Sequence, residues 1–165
     1  IIDEKVKQYG SSTVVISIEV IKSGSKYFCR KDFGREESNK ELIVWAKEVE
    51  ARGAGEIIVT SIDSDGTGSG FDLSIAERLS ENTFIPFIVN GGIASLKQID
   101  QLFNCSKPSG IAIGSALHYS YLDRNFTKKN FSDGNVDFLN KNSKYKDFGK
   151  LKIKEVKKYI KKRFG

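Results

Sequence analysis

Glu56-Ile57-Ile58-Val59-Thr60, continued by Ser61-Ile62-Asp63-Ser64-Asp65-Gly66-Thr67, is an apolar run that ends in an acidic turn of small residues. A run rich in β-branched residues fits a strand buried on both faces, as in a parallel sheet. Two later stretches repeat the arrangement. Ile85-Pro86-Phe87-Ile88-Val89 opens into Asn90-Gly91-Gly92-Ile93, and Gly110-Ile111-Ala112-Ile113 opens into Gly114-Ser115-Ala116. Each turn leads into a helical pattern. Glycine lets a backbone approach an oxyanion, and a helix N-terminus offers unpaired N–H donors with a favourable dipole. The three turns lie about one βα unit apart, and a barrel would gather them at its catalytic face. The repetition therefore predicts a phosphate seat.

Outward from this segment the same rhythm continues. Thr13-Val14-Val15-Ile16-Ser17-Ile18-Glu19-Val20 reads as the first strand, with an acid at its end. The stretch through Tyr27-Phe28-Cys29 suggests a hairpin, after which Ser38-Asn39 are expected to cap a helix. In that helix Leu42, Trp45, Ala46 and Val49 share one face, so Trp45 reads as core. Gly53-Ala54-Gly55 stops it. Further helices are predicted over 73–79 and 96–103. Four strand-and-helix units imply parallel strands with right-handed crossovers. Residues 120–149 read as an irregular insertion before a closing helix marked by Leu151, Ile153, Val156, Tyr159 and Ile160.

At 165 residues and 39% hydrophobic content the chain can bury one sizeable core, and 1–165 is expected to be a single α/β domain. A complete (βα)₈ barrel needs roughly 200–250 residues. The opening Ile1-Ile2-Asp3-Glu4-Lys5-Val6 already has the pattern of an amphipathic helix, as a fragment would. Cys29 and Cys105 form no CxxC spacing, and no run approaches the ~20 apolar residues of a membrane span, so a reducing cytoplasm is expected. From Asp123 onward there are 14 Lys+Arg against 5 Asp+Glu, leaving 13 against 16 before it. The basic tail reads as solvated lysines around aromatic anchors, so neither nucleic acid nor membrane is an expected partner.

Among groups that could carry chemistry, Asp63 and Asp65 flank a tight turn, where a carboxylate can orient hydroxyls or move a proton. The same pair suits an Asx turn that satisfies backbone donors. Glu19, at a strand end, is a third candidate acid. His118 is the single histidine, so a multi-histidine metal site is not expected, and no cofactor is implied.

Arg52-Gly53-Ala54-Gly55-Glu56-Ile57, the block Thr60 through Asp72 and Asn90-Gly91-Gly92-Ile93 together resemble the cyclase subunit of imidazole glycerol phosphate synthase. The similarity covers about residues 1–122 and the closing helix, the second half of that family's (βα)₈ barrel. It implies a lyase in which ammonia from a glutaminase partner attacks a phosphoribosyl-formimino intermediate, giving imidazole glycerol phosphate and an aminoimidazole carboxamide ribotide. By position, Asp65, Gly66, Gly92, Gly114 and Ser115 would form one of two phosphate seats, with Gly91 beside them. Thr60 and Asn90 would line the mouth, and Glu56 would match a charged ammonia gate at the opposite face. Glu19 and Asp65 are the implied catalytic acids, Glu19 standing where the family has aspartate. The other catalytic aspartate and the second phosphate seat belong to the first half-barrel, so that half, or a second copy, is an implied partner. Two alternatives stay open: a cyclase-like paralogue that supplies ammonia to amidinate a surface-polysaccharide sugar, and a noncatalytic half-barrel that dimerises over its open strands.

Overall fold

The computed structural model describes residues 1–32, 34–125 and 151–164. Its elements run α1 (Ile2–Tyr9), a 3₁₀ turn (Ser11–Thr13), β1 (Val15–Ser23), β2 (Lys26–Lys31), β3 (Glu36–Glu41) and α2 (Leu42–Ala51). They continue β4 (Glu56–Ser61), α3 (Leu73–Asn82), β5 (Phe87–Asn90), α4 (Leu96–Cys105), β6 (Gly110–Ala112) and α5 (Ser115–Asn125), and α6 (Ile153–Arg163) follows the undescribed stretch. One sheet carries all six strands in the order β3-β2-β1-β4-β5-β6. β1, β4, β5 and β6 are mutually parallel, while β1-β2-β3 is an antiparallel meander inserted after the first strand. The class is α/β, and four βα units form half of a barrel's arc.

Burial alternates along β1, β4 and β5 because helices cover one face. Ile18 and Val20 of β1, Ile57 and Val59 of β4, and Phe87 and Val89 of β5 are buried. They meet Leu42, Ala46 and Val49 of α2, Ile75, Ala76 and Leu79 of α3, and Ile99 and Leu102 of α4 in one core. Each large aliphatic side chain buried this way contributes about 1.5–3 kcal/mol. On the other face Ser17, Ile58, Ile88 and Gly110 form a row in register across the four parallel strands. Ile58 and Ile88 are only half-buried and lie outside the helix-facing core.

The outer helices are tied by charge. Arg52 joins Glu48 at 2.6 Å and Asp3 at 3.1 Å, fixing α1 to α2. Asp100 on α4 accepts from Tyr159 at 3.1 Å and Arg163 at 3.2 Å, while Leu151 and Val156 are buried beneath them. The closing helix is therefore anchored where the sequence places it.

Two expectations change. Ser38 and Asn39 lie in β3 and do not cap a helix; the Ser38 hydroxyl donates to the Cys29 carbonyl at 2.6 Å, and α2 starts at Leu42 after Glu41 with no side-chain cap. The stretch 120–149 does not begin irregularly, because α5 continues to Asn125; residues 126–149 lie outside the described ones. Trp45 is half-buried against the core under the Lys40 ammonium, 4.0 Å from its ring centre. His118 lies within α5, edge-on to Tyr119.

Candidate functional site at the strand ends

Glu19, Thr60, Asn90 and Ala112 are register partners across the four parallel strands. Register partners share a face of a sheet, so this row points away from the helices at the C-terminal ends of the strands. Asn90 Nδ2 donates to Thr60 Oγ1 at 3.1 Å, which orients both side chains.

Beyond this row the three βα loops converge. One pocket is lined by Asp65, Gly66 and Gly68 after β4, by Asn90 through Ile93 after β5, and by Ala112 through Ser115 after β6. It gathers Asp65, Gly66, Gly92, Gly114 and Ser115, the residues expected to form a phosphate seat, together with Gly91 beside them and Asn90, expected at the mouth. Thr60 sits in the row beneath, and Glu19 one strand farther along. Glu56 is at the opposite end of β4, where its Oε1 accepts from the Ser109 hydroxyl at 3.1 Å.

The loops hold one another directly. Gly70 N–H donates to the Gly92 carbonyl at 2.8 Å, and Gln98 Nε2 donates to the Gly68 carbonyl at 3.1 Å. The two turn acids divide their roles. Asp63 Oδ2 accepts the Lys22 backbone N–H at 2.8 Å and pins the β4–α3 loop to the end of β1. Asp65 lines the pocket and is exposed; its Oδ1 accepts from the adjacent Gly66 N–H at 3.0 Å.

The glycines divide as well. A Cβ on Gly91 would stand 2.8 Å from the Ser61 carbonyl oxygen, and one on Gly92 would collide with the Gly70 backbone, so both are required by loop packing. A Cβ on Gly66 or Gly114 meets no protein atom within 4 Å. Gly114 has no positive φ either, so folding alone does not explain glycine there. Helix ends repeat the contrast. α3 is capped by Asp72, and α4 by a Ser95/Gln98 capping box. The carbonyl of Gly114 accepts the first α5 bond, from His118 N–H at 3.0 Å, but glycine returns no side chain to the first-turn amides. Gly114 and Ser115, where α5 begins, line the pocket, so the positive end of the helix dipole lies at its wall, as an anion requires.

Arg30 extends the strand-end row. Across the antiparallel meander Glu19 pairs with Arg30, and Arg30 pairs with Glu37. The Arg30 side chain is 19% exposed and reaches Glu37, which is 71% exposed, at 3.1 Å. Arg30 Nε is buried with no hydrogen-bond partner, the sole such side-chain atom among the described residues. An exposed ion pair returns about 0–1 kcal/mol, and an orphaned buried donor costs about 1–3 kcal/mol. Neither Arg30 nor Glu37 stands out in the sequence. Once a two-residue turn at Gly24-Ser25 is assigned, however, the pairing of Glu19 with Arg30 follows.

Behind the mouth, Tyr27 donates to Asp72 Oδ2 at 2.7 Å, and Lys22 Nζ lies 3.7 Å from the same oxygen. Burial raises the Tyr27 hydroxyl pKa, and the Asp72 charge raises that of Lys22. Burial also pushes the Cys29 thiol up to about 11, which makes it a poor nucleophile. Among the described residues, no group of three or more His, Cys, Asp or Glu could hold a metal. No helix among them is long and apolar enough to cross a membrane.

Residues 1–123 match the family described as histidine biosynthesis protein. The chain belongs to that family. The imidazole glycerol phosphate synthase subunit HisF of Bacillus cereus is 33% identical over 138 residues, covering 83% of this chain and 55% of the relative. The HisF subunit of Streptococcus gordonii is 36% identical over 124 residues, 74% of this chain and 49% of its own length. That of Prochlorococcus marinus is 37% identical over 121 residues, 72% of this chain and 48% of its own length. The chain thus spans about half the length of the curated relatives it matches. Its open arc of parallel strands is a partial (βα)₈ barrel, the fold of the family.

Proposed function

We propose that this chain supplies the phosphate-gripping half of the cyclase subunit of imidazole glycerol phosphate synthase, a lyase of histidine biosynthesis. The observation that carries the reading is the convergence of three βα loops on one pocket in which Gly66 and Gly114 stand open. A substrate phosphate in that pocket accepts main-chain N–H groups from the loops and the first turn of α5. Asp65 at the rim and Glu19 in the strand-end row then flank the reacting carbon. As ammonia nitrogen bonds to the ketone carbon of the substrate, expelling its oxygen as water, and to the formimino carbon, expelling the aminoimidazole carboxamide ribotide, they take the protons released and return them to the two leaving groups. Glu56, at the far end of β4, gates ammonia arriving from a glutaminase partner.

A further half-barrel covers the face that carries Ile58 and Ile88 and contributes the remaining catalytic aspartate. The relatives that match are named as the HisF subunit of imidazole glycerol phosphate synthase, whereas the amidinating paralogue has only Glu19 and the long 120–149 stretch in its favour. The test combines this chain with the complementary half-barrel of the Bacillus cereus relative and follows ammonium-dependent consumption of the formimino substrate. Turnover is expected, with Asp65→Asn and Glu19→Gln each lowering kcat by about 10²-fold or more. A folded, phosphate-binding assembly that does not consume the substrate would refute the assignment.

A further inference from the structure

We infer that Gln98 is a positioning residue for the phosphate pocket, a side chain outside the pocket that holds two of its loops at a fixed separation. The inference rests on the phosphate reading of the pocket and names a residue that sets its shape.

Gln98 lies in the first turn of α4, and its side chain reaches back over the helix start. Its Oε1 accepts the Ala94 N–H at 2.8 Å and the Ser95 N–H at 3.1 Å, which secures the loop after β5. Its Nε2 donates to the Gly68 carbonyl at 3.1 Å, in the loop after β4. Two N–H donors on one atom identify it as the oxygen, and a carbonyl against the other identifies that one as the nitrogen. Gly68 and Ile93, the neighbour of Ala94, both line the pocket, whereas Gln98 does not. Gly70, with φ +100°, packs flat on the same side chain: a Cβ there would stand 3.4 Å from Nε2 and 3.5 Å from Cδ and Cγ.

Capping chemistry alone does not select glutamine at this position, since glutamate closes a capping box equally well. The second bond does select it. A glutamate oxygen in place of Nε2 would face the Gly68 carbonyl, acceptor against acceptor. The oxygen of the amide therefore serves the helix, and its nitrogen serves the pocket. A phosphate shared by amides of several loops binds tightly only when those loops are held in place before it arrives. The same bond anchors the loop that carries Asp65.

Calorimetric titration of the full chain with ribose 5-phosphate, paired with urea unfolding, tests this. Gln98→Glu keeps the cap and loses the bond to Gly68, so its urea midpoint should match wild type while affinity falls by about 10-fold. Gln98→Met loses both functions without adding charge; affinity should fall to a similar extent and the midpoint by about 0.5 M or more. The inference is overturned if Gln98→Glu binds as wild type does, or if it is destabilised as much as Gln98→Met, since the residue then serves the fold alone. It is overturned also if Gln98→Met keeps wild-type affinity, because the loss in Gln98→Glu is then a matter of charge. If the wild type does not bind ribose 5-phosphate, the pocket reading fails and this inference fails with it.

Discussion

Replacing Gly92 by alanine would place a methyl carbon against the Gly70 carbonyl oxygen and 2.9 Å from both the Gly70 carbonyl carbon and Ser64 Cβ. Two of those atoms are backbone and cannot swing aside. Gly92 also has φ +85°, where an L side chain is strained by about 1–2 kcal/mol. Overpacking adds about 1–3 kcal/mol. Displacement of the Gly70 N–H to Gly92 carbonyl bond adds about 0.5–1.5 kcal/mol. Gly92→Ala should therefore lose about 3–6 kcal/mol in urea unfolding, and Tm should fall by about 10 °C or more. Gly114→Ala is the control: its Cβ meets no protein atom within 4 Å, so it should cost under about 1 kcal/mol. Its methyl group enters the pocket, and phosphate affinity should fall by about 10-fold, read by calorimetry. The separation of Gly92 from Gly114 by packing is refuted if Gly92→Ala unfolds within about 1 kcal/mol of wild type by the same assay, the resolution of such measurements. It is refuted equally if Gly114→Ala is the more destabilised of the two.

Tyr27→Phe removes the bond to Asp72 that joins β2 to the start of α3; a loss of about 1–2 kcal/mol is expected, measured by urea unfolding. Because burial raises the Cys29 thiol from 9.0 to about 11, its contribution to stability is complete below pH 9 and is lost as the pH rises toward 11. Cys29→Ala should flatten that alkaline decline, and iodoacetamide followed by mass spectrometry should label the half-buried Cys105 before Cys29. Asp100 is lowered below 3.8, chiefly by its bond to Arg163, so its share of stability is present above that value and fades as the pH falls through the lower folded one. Asp100→Asn should flatten the acid limb and expose α6 to limited proteolysis at neutral pH.

The four βα units were legible because each strand is an apolar run and each helix shows a 3.6-residue apolar face, as with Leu42, Ala46 and Val49. The convergence of the loops followed from their spacing and from barrel topology. β3 was not legible: Glu36-Glu37-Ser38-Asn39-Lys40-Glu41 has no apolar residue and is held by its pairing to β2, while Ser38-Asn39 imitate a helix cap. The Ser95…Gln98 capping box was present as a pattern and marks the start of α4. What the sequence could not separate was Gly92 from Gly114, or Asp63 from Asp65. Gly92 and Gly114 both line the pocket but only Gly92 is hemmed in by the Gly70 backbone, and Asp63 ties the loop to β1 whereas Asp65 lines the pocket, differences set by neighbours far away in the chain. Arg30 was hidden for the same reason, since only hairpin register places it beside Glu19.

The meander pairs with β1 only from Glu19 to Ser23. Below that point Val15-Ile16-Ser17-Ile18 meets β4 on one side and no described strand on the other. β6 is likewise bonded only to β5. Both bare flanks lack charge, whereas the outermost strand of the meander carries Glu36, Glu37, Lys40 and Glu41. Charged flanks turn away an added strand, and uncharged ones admit it. On the proposed reading, the strands of a complementary half-barrel would therefore be turned away at the meander and admitted at these two flanks, closing a ring instead of lengthening a ribbon.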